Sequence, residues 1–409
     1  MAEPVIAGPN ALQPAGRDIA SVNNMTNSRG DERGRLVRLA MVGGGPGSFI
    51  GPVHRLAAAI AGAFELKAGV FSSSLDRSQE TGRVLGLDPA RVYPDLSALL
   101  DAEATLPSHE RVEAVAIVAP NHLHHPFAVQ ALEAGFTVVC DKPPTMDLAQ
   151  ARDLRAVVER TGQLYALTFT YLGYPLVQEA RDRVASGTLG PIRRVVVEYL
   201  QGWLAQAEEE SGNVQAAWRT DPARAGISGC FADIGVHAQS LVEFVTGETL
   251  TEVAAELMTH VPGRRLDDDG AALFRLSGGG RGTVVASQVC VGEANGLTLR
   301  VYGERGSLTW AQENPNELWL GHADRPAERL IAGMPGLSAD ARRYTRTPSG
   351  HPEGYLEAFA NIYADVAHRL RDPNAPAPPG IDLGVSSMAF LEAVVASSAA
   401  GGRWTEVTR

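Results

Sequence analysis

The fold is decided by the segment Arg35-Leu-Val-Arg-Leu-Ala-Met-Val-Gly-Gly-Gly-Pro-Gly-Ser-Phe-Ile-Gly51, in which an apolar strand is followed directly by a glycine-rich turn. Residues 54–62 are mostly alanine, leucine and isoleucine, and they predict a helix. A turn between a strand and a helix presents backbone amides at the positive end of the helix dipole, where they can bind a pyrophosphate. The segment therefore predicts the first strand–turn–helix unit of a dinucleotide-binding domain.

The glycine spacing in this turn departs from the usual G-x-G-x-x-G pattern. Gly43 and Gly45 fit its first two positions, whereas the third glycine is either displaced to Gly51 or replaced by Ser48. The loop is therefore expected to be longer and to reach further over a bound cofactor. Cofactor contacts are predicted for Gly43, Gly45, Ser48, Phe49 and Ile50.

Further apolar runs alternate with helical patterns after this unit. Strands are predicted at 66–71, 112–118 and 136–140, and helices from about residue 78 and at 127–134. Alternation of this kind indicates parallel βαβ units. The predicted fold class is α/β, with an N-terminal Rossmann domain built on a doubly wound parallel sheet.

The chain has 409 residues, which is long enough for two domains. We predict a flexible tail at 1–34, a dinucleotide-binding domain at 35–170 and a substrate-binding and oligomerisation α/β domain at 171–409. The last part contains strand-like runs separated by glycine or charged turns, and this spacing favours an antiparallel sheet. In the run 283–289 polar and apolar residues do not alternate clearly, so we expect cover on both faces of that sheet.

Charge and cysteine content limit the partners and the compartment. The formal net charge of −11, from 36 basic and 47 acidic residues, disfavours a nucleic-acid or anionic-membrane surface. Cys140, Cys230 and Cys290 lie far apart and match neither a metal nor a disulfide spacing. The N-terminal residues do not have the pattern of a signal peptide. We therefore expect a cytoplasmic protein whose partner is a small molecule.

The end of the second predicted strand bears on the choice of dinucleotide. It reads Phe71-Ser-Ser-Ser-Leu-Asp-Arg77, without an acid at the position that usually binds the adenosine ribose of NAD. The hydroxyls of Ser72 and Ser73 can bond either a ribose hydroxyl or a phosphate, and Arg77 is a candidate for the same region. The choice between NAD and NADP stays open on these residues.

Three histidines lie in the segment Pro120-Asn-His-Leu-His-His-Pro126. A metal site is not expected there, because His124 and His125 are adjacent and no carboxylate or cysteine joins them at ligand spacing. The segment follows a predicted strand at the same sheet edge as the glycine-rich turn. Cofactor contacts are therefore predicted for Pro120, Asn121, His122 and His125.

Two further motifs carry groups suited to acid–base chemistry. Asp141-Lys142-Pro143 follows an apolar strand, and Asp233-x-Gly-x-His237 lies in an apolar segment. Together they supply a cation, an orienting acid and a proton acceptor, which are the groups needed to remove a proton from an alcohol while a cofactor takes the hydride. Four residues apart on a helix, Asp233 and His237 would share one face, so Asp233 is expected either to fix the imidazole tautomer or to contact the substrate.

These motifs, in this order, resemble those of the Gfo/Idh/MocA oxidoreductases over about residues 35–409. The family's Glu-Lys-Pro motif reads Asp-Lys-Pro here, and the resemblance implies that Lys142, Asp233 and His237 are catalytic. It also implies a C-terminal α/β domain with a large, mainly antiparallel sheet. Substrate contacts are expected at Tyr171, Trp218, Arg219, Asp233, His237 and His351, and a cofactor contact at Lys142.

The resemblance further implies NAD as the cofactor, with NADP as the alternative, and a homodimer or homotetramer formed through the C-terminal sheet. The leading hypothesis is hydride transfer between the nicotinamide and a secondary hydroxyl or ketone of a sugar, glycoside or cyclic polyol. One alternative is a redox-neutral enzyme that retains NAD and oxidises its substrate transiently during glycoside cleavage, elimination or epimerisation. Another is a dinucleotide-binding sensor without catalysis, against which the three intact catalytic residue types argue.

Overall fold

A computed structural model describes residues 35–409, and the tail predicted at 1–34 lies outside the described residues. Two sheets organise the described part, one with five strands and one with nine. The elements of the first half are β1 (Val37–Gly43), α1 (Ile50–Ala61), β2 (Phe64–Val70), α2 (Leu75–Val84), α3 (Leu96–Thr105), β3 (Ala114–Val118), α4 (His124–Glu133), β4 (Thr137–Cys140), α5 (Leu148–Thr161) and β5 (Tyr165–Leu167).

The first sheet has the strand order β2-β1-β3-β4-β5, and all its neighbouring strands are parallel. Every residue of β3, Ala-Val-Ala-Ile-Val, is buried, as expected for a strand with helices on both sheet faces. The strand order reverses between β1 and β3, which opens a crevice at the carboxyl ends of the strands. The predicted Rossmann sheet is confirmed.

The second half supplies the larger sheet and the helices that cover one of its faces. Its elements are α6 (Pro175–Ala185), β6 (Ile192–Leu200), α7 (Val214–Arg219), α8 (Pro222–Ala225), α9 (Val236–Thr246), β7 (Leu250–Met258), β8 (Asp269–Leu276), β9 (Arg281–Ser287), β10 (Gly296–Gly303), β11 (Gly306–Ala311), β12 (Glu317–His322), β13 (Glu328–Ile331), α10 (Ala339–Tyr344), α11 (Tyr355–Arg371), α12 (Ile381–Ala399) and β14 (Thr405–Glu406).

The nine strands are ordered β13-β12-β11-β10-β6-β9-β8-β7-β14, and β6 and β9 form a parallel pair within an otherwise antiparallel sheet. The predicted mainly antiparallel sheet is therefore confirmed. In β9 the side chains of Val284 and Ala286 are buried, whereas Thr283 and Val285 are half-buried. Within residues 35–409 only one face of this strand is closely covered, which differs from the expected cover on both faces.

Helix α11 packs on the first sheet's helix layer although it lies late in the chain. The Phe359 ring lies 4.7 Å from the His54 ring on α1, and the Tyr363 ring lies 5.1 Å from that of Phe64. Residues 37–409 accordingly form one compact unit. The boundary predicted near residue 170 separates the two sheets but not all the helices that pack on them.

Helix α12 is the one described helix that is long and apolar enough to cross a membrane. About two thirds of its most apolar window, 67%, is buried inside the protein. Burial of this extent is typical of a helix in a protein core.

In the glycine-rich loop between β1 and α1, Gly51 and Ser48, the two candidates for the third glycine position of the motif, both have a structural role. A Cβ at Gly51 would lie 2.5 Å from the Gly44 Cα and carbonyl oxygen, so only glycine lets the helix approach the loop this closely. The Gly51 amide donates to the Ser48 hydroxyl at 3.1 Å. Gly51 thus provides the close helix–loop packing, and Ser48 closes the added turn.

We predict that Gly51→Ala destabilises the protein by about 1–3 kcal/mol, because the added methyl group must displace the Gly44 backbone. The matched control is Gly380→Ala, where the added Cβ would have its nearest neighbour at 3.6 Å. Thermal unfolding should show a lower Tm for Gly51→Ala alone, together with weaker NAD binding. Equal Tm values for the two variants would contradict the assigned role of Gly51.

Candidate active site

A cavity of about 1460 Å³ lies at the carboxyl ends of the parallel strands. Residues that follow β1, β2, β3 and β4 form one side of it, and residues from the second half of the chain form the other. A cavity of this size exceeds the usual volume of a single small-molecule pocket and can accept a dinucleotide together with a second molecule.

The glycine-rich loop leaves room at this cavity for a pyrophosphate. A Cβ at Gly43 would lie 2.1 Å from the Val118 carbonyl oxygen, and one at Gly45 would lie 2.3 Å from that of Phe71. Phe49 precedes α1 without capping it, and among the first amides of that helix the Gly51 amide donates to the Ser48 hydroxyl. The loop and the helix N-terminus therefore fit the phosphates of a dinucleotide. The predicted loop residues that line the cavity are Gly43, Gly45, Ser48, Phe49 and Ile50.

The end of β2, where contacts with the adenosine ribose are predicted, lies at the cavity. Ser72, Ser73 and Arg77 all line it, as the sequence predicts. Asp95 also lines this side, but its carboxylate accepts the Ala98 amide at 2.8 Å and caps α3. Hydroxyl groups rather than a free carboxylate thus face the position of the ribose.

The histidine-rich segment after β3 divides between the cavity and the surface. Pro120, Asn121 and His122 line the cavity, and the buried Asn121 amide donates to the Ala225 carbonyl at 3.2 Å. His125 does not line it and instead pairs with Asp153 at 2.8 Å. The structure therefore does not bring His125 to the predicted site. No group of residues in the described part of the chain has the arrangement of a metal site.

Lys142 and Asp233 meet at the inner end of the cavity. The Lys142 ammonium donates to the Asp233 carboxylate at 2.9 Å and to its carbonyl oxygen at 2.5 Å. Lys142 follows β4, and Asp233 lies in a π-helical turn, Phe231–Gly235, at the start of α9. The contact joins the edge of the parallel sheet to a segment about ninety residues away in the chain.

The second oxygen of the Asp233 carboxylate is also bonded. It accepts Arg219 Nε at 3.0 Å and Gln288 Nε2 at 2.9 Å. The Arg219 guanidinium lies over the Trp218 ring, 4.2 Å from its centroid. Burial opposes ionisation of this carboxyl group, but Arg219 and Lys142 hold the pKa of Asp233 well below its usual range. Asp233 is therefore a carboxylate balanced by two cations.

His237 lines the cavity beside these charges and has aromatic neighbours. Its ring lies 4.8 Å from the Tyr171 ring and 5.8 Å from that of Phe169, and its Nδ1 is buried without a hydrogen-bond partner. Burial and the charge of Lys142 hold the pKa of His237 well below its usual value, so the imidazole is neutral. Asp233 does not bond this ring, and the expectation that it fixes the tautomer is wrong. The π-helical turn changes the angle between the two residues that an α-helical spacing of four would give.

A polar network beyond Tyr171 completes the wall opposite the nucleotide side. The Tyr171 and Tyr199 hydroxyls bond each other, and Tyr199 donates to Asn295 at 2.7 Å. Gln201 donates to the same Asn295 oxygen at 2.8 Å. Four residues of this site were not among the predicted ones, because they lie in strands and turns and belong to none of the motifs used above: Tyr199, Gln201, Asn295 and Gln288. His351 is exposed and does not line the cavity, so the structure does not bring it to the substrate side.

Two family models together match well over half of the chain. One, described as an oxidoreductase family with an NAD-binding Rossmann fold, matches residues 37–169, and the other, the GFO/IDH/MocA C-terminal domain, matches residues 177–309. The chain belongs to the Gfo/Idh/MocA oxidoreductase family. Membership confirms the expected fold, the expected oxidoreductase class and NAD as the cofactor.

The chain is similar to several known proteins over most of its length. The oxidoreductase YfiI of Bacillus subtilis is 31% identical over 381 residues, which are 90% of this chain and 96% of that protein. Levoglucosan dehydrogenase of Pseudarthrobacter phenanthrenivorans is 26% identical over 323 residues, 72% of this chain and 78% of the relative. The crystal structure of an inositol dehydrogenase homolog from Azotobacter vinelandii in complex with NAD⁺ is similar with a TM-score of 0.87 and 35% identity, and covers 91% of this chain and 97% of its own.

The neutral state of His237 is directly measurable. We predict that the pKa of the His237 imidazole lies well below the usual histidine value, because burial and Lys142 both disfavour the charged ring. Histidine labelled with ¹⁵N would give ring signals to follow by NMR as the pH is lowered, and His237→Ala identifies the relevant pair. A protonation midpoint at or above about 6.5, the usual histidine value, would show that the site does not suppress the charge.

Proposed function

We propose that the protein oxidises a secondary hydroxyl of a sugar, glycoside or cyclic polyol with NAD, or reduces the corresponding ketone. The observation that supports this proposal most strongly is the meeting of Lys142, Asp233 and neutral His237 at the inner end of the dinucleotide cavity. A cation, a fixed carboxylate and an uncharged base beside a nicotinamide site are the groups that alcohol oxidation needs.

Each residue has a role that its contacts support. Bound NAD supplies the hydride acceptor. His237, uncharged in its buried site, accepts the hydroxyl proton. Lys142 holds the substrate oxygen and stabilises negative charge as it develops there. Asp233 orients Lys142 and Arg219 through its two oxygens, at 2.9 and 3.0 Å.

The cavity wall favours a hydroxyl-rich substrate. Tyr171, Tyr199, Gln201 and Asn295 present hydroxyl and amide groups that both donate and accept hydrogen bonds. Trp218 adds a flat apolar surface of the kind that suits the face of a sugar ring. The names of two relatives support this substrate class. The A. vinelandii inositol dehydrogenase homolog, whose structure with NADH and myo-inositol is known, is 34% identical to this chain. D-glucoside 3-dehydrogenase of Escherichia coli is 27% identical over 216 residues.

We predict that Lys142→Met and His237→Ala each lower kcat by about 10²-fold or more, because each removes a group that acts on the reacting hydroxyl. Matched controls are His125→Ala and His351→Ala, since both histidines lie outside the cavity and should leave turnover unchanged. The assay follows NADH formation over inositols, free sugars and glycosides, with NADP in parallel, and NAD affinity is measured separately for each variant.

The outcomes of this assay separate the candidate functions. Full turnover in His237→Ala and Lys142→Met would overturn the assigned roles. NAD retained through purification, with product formed but no net NADH, would move the assignment to redox-neutral chemistry. NAD binding without turnover of any kind of substrate would favour a sensor.

We also propose that the outer face of the nine-stranded sheet forms the contact between copies of this chain. A row of directly paired residues crosses that face, and large apolar side chains stand near both of its ends, with Leu273 48% and Trp319 47% exposed. The residues between them in this row are Thr283, Val196, Arg300 and Thr309. An extended, partly apolar sheet face that the described chain leaves open suits a flat contact with a second copy.

We predict that Leu273→Glu and Trp319→Glu each shift the protein from a dimer or tetramer toward the monomer, because each buries a charge in the proposed contact. The matched control is Val84→Glu on α2, which is 70% exposed and lies away from this sheet. Light scattering coupled to size-exclusion chromatography gives the mass of each variant. A monomeric wild-type protein would overturn the proposal.

Two further expectations stay proposals. We propose that residues 35–170 and 171–409 are the two domains, with α11 returning from the second to cover the first. We propose a cytoplasmic location, which the free thiols of Cys140, Cys230 and Cys290 support because such thiols persist in reducing compartments.

A further inference from the structure

A chain of hydrogen bonds runs from the cavity, where Asp141 and Thr168 line the wall beside Lys142, into the core at His54 and Tyr363. His54, on α1, is fully buried at 0% exposure. Its Nδ1 lies 2.8 Å from the Tyr363 hydroxyl, and its Nε2 lies 2.9 Å from an Asp141 carboxylate oxygen. The same oxygen accepts the Thr168 hydroxyl at 2.7 Å. Asp141 is the residue directly before Lys142.

The direction of these hydrogen bonds follows from the protonation states. Burial opposes ionisation of Asp141, but His54 and Thr168 hold the pKa of this carboxyl group below its usual value. A carboxylate only accepts, so His54 Nε2 carries the proton. Burial raises the pKa of Tyr363, whose hydroxyl therefore keeps its proton and donates to Nδ1. A neutral imidazole satisfies both contacts.

This chain of hydrogen bonds connects three parts of the protein whose relative positions matter for the proposed reaction. His54 lies one turn into the helix that begins at the dinucleotide loop. Asp141 lies at the end of β4, and Tyr363 belongs to α11, which also contributes Tyr355 and Phe359 to the cavity wall. A single side chain thus links the cofactor loop, the lysine motif and the substrate side.

We propose that His54 is a positioning residue for Lys142. The proposal rests on the function proposed above. By holding the Asp141 carboxylate between its own ring and Thr168, His54 keeps that negative charge away from the neighbouring ammonium group, which remains directed at Asp233 and the substrate oxygen. Without His54 the Asp141 carboxylate is free to turn and to compete for Lys142.

Two substitutions at one position separate this role from plain core packing. His54→Phe keeps a buried ring but removes the donor to Asp141. His54→Gln retains an amide donor near the place of Nε2. Tyr363→Phe removes only the outer hydrogen bond of the chain. If His54 merely fills space, Phe is tolerated better than Gln; if it positions Lys142, Gln is tolerated better than Phe.

The chain contains only two lysines, Lys67 and Lys142, which makes Lys142 observable without any turnover. Lysine labelled with ¹³C at Cε gives one NMR signal for each, and Lys67, paired with Glu65 at 3.0 Å on β2, is an internal control. We expect His54→Phe to shift the Lys142 signal and to leave the Lys67 signal in place. His54→Gln should leave both close to their wild-type positions.

The kinetic part of the test uses the same variants. We expect His54→Phe to lower kcat by about 10- to 100-fold, as for other displaced catalytic groups, with the Kd for NAD changed by less than about threefold. His54→Gln should keep most of the wild-type kcat, and Tyr363→Phe should lower kcat less than His54→Phe does.

The outcomes distinguish failure of this inference from failure of the proposed function. An unmoved Lys142 signal in folded His54→Phe protein, or equal losses of kcat in His54→Gln and His54→Phe, overturns the positioning role. If the wild-type protein turns over no substrate, the proposed function fails, while the lysine signals still decide whether His54 orients Lys142.

Discussion

The contact between the Lys142 ammonium and the Asp233 carboxylate is the constraint on which the rest of the site depends. Both groups are largely buried, and an ionised group in such a place is tolerated only when it is paired and hydrogen-bonded. Each oxygen of Asp233 has its own cation, at 2.9 and 3.0 Å. Because these contacts come from β4, from α7 and from the turn before α9, forming them brings the parallel sheet and the second half of the chain together. The cavity exists because these segments meet there.

The π-helical turn at Phe231–Gly235 explains how one short motif supplies two different functions. In an α-helix, residues four apart lie on the same face, and Asp233 would then lie above His237. The wider turn separates them, so the carboxylate is available to Lys142 and Arg219 while the imidazole faces the aromatic rings. Such turns occur often at functional sites. The separation also keeps His237 free of a carboxylate partner that would favour its charged form.

The sequence predicted most of the nucleotide side and the reacting groups. The runs at β1, β3 and β4 are mostly apolar and are separated by helices, so their parallel pairing follows from the pattern. Residues after parallel strands share one sheet edge, which is why Ser72, Asn121 and Lys142 were expected together. His125 does not line the cavity, although it is close to His122 in sequence, because the turn into α4 directs the two side chains to different sides. A spacing rule does not resolve that direction.

Other residues of the site could not be predicted from sequence patterns, for physical reasons. Gln288 and Asn295 act through single amide groups in segments whose position depends on pairing across nine strands. His54 and the adjacent Arg55 are two polar residues in an otherwise apolar helix, and only the approach of α11 and β4 gives His54 its two partners. The strands β11, β12 and β13 lie toward one edge of the sheet, where half-exposed residues weaken the alternation that identifies a strand.

The protein as a whole is acidic, but cations lie at the reacting end of the cavity, and this difference bears on the chemistry. The protein carries a net charge of −11, yet at the reacting end two cations, Lys142 and Arg219, share one carboxylate. The Lys142 ammonium lies in a largely buried place, where screening by water is weak and electrostatic effects are large. It favours an oxygen that loses its proton and carries negative charge before hydride leaves the same carbon. Burial, together with the same Lys142 charge, also disfavours a proton on His237, so the proposed proton acceptor is uncharged. Acid and base roles are thus set by one arrangement of charges rather than by two independent residues.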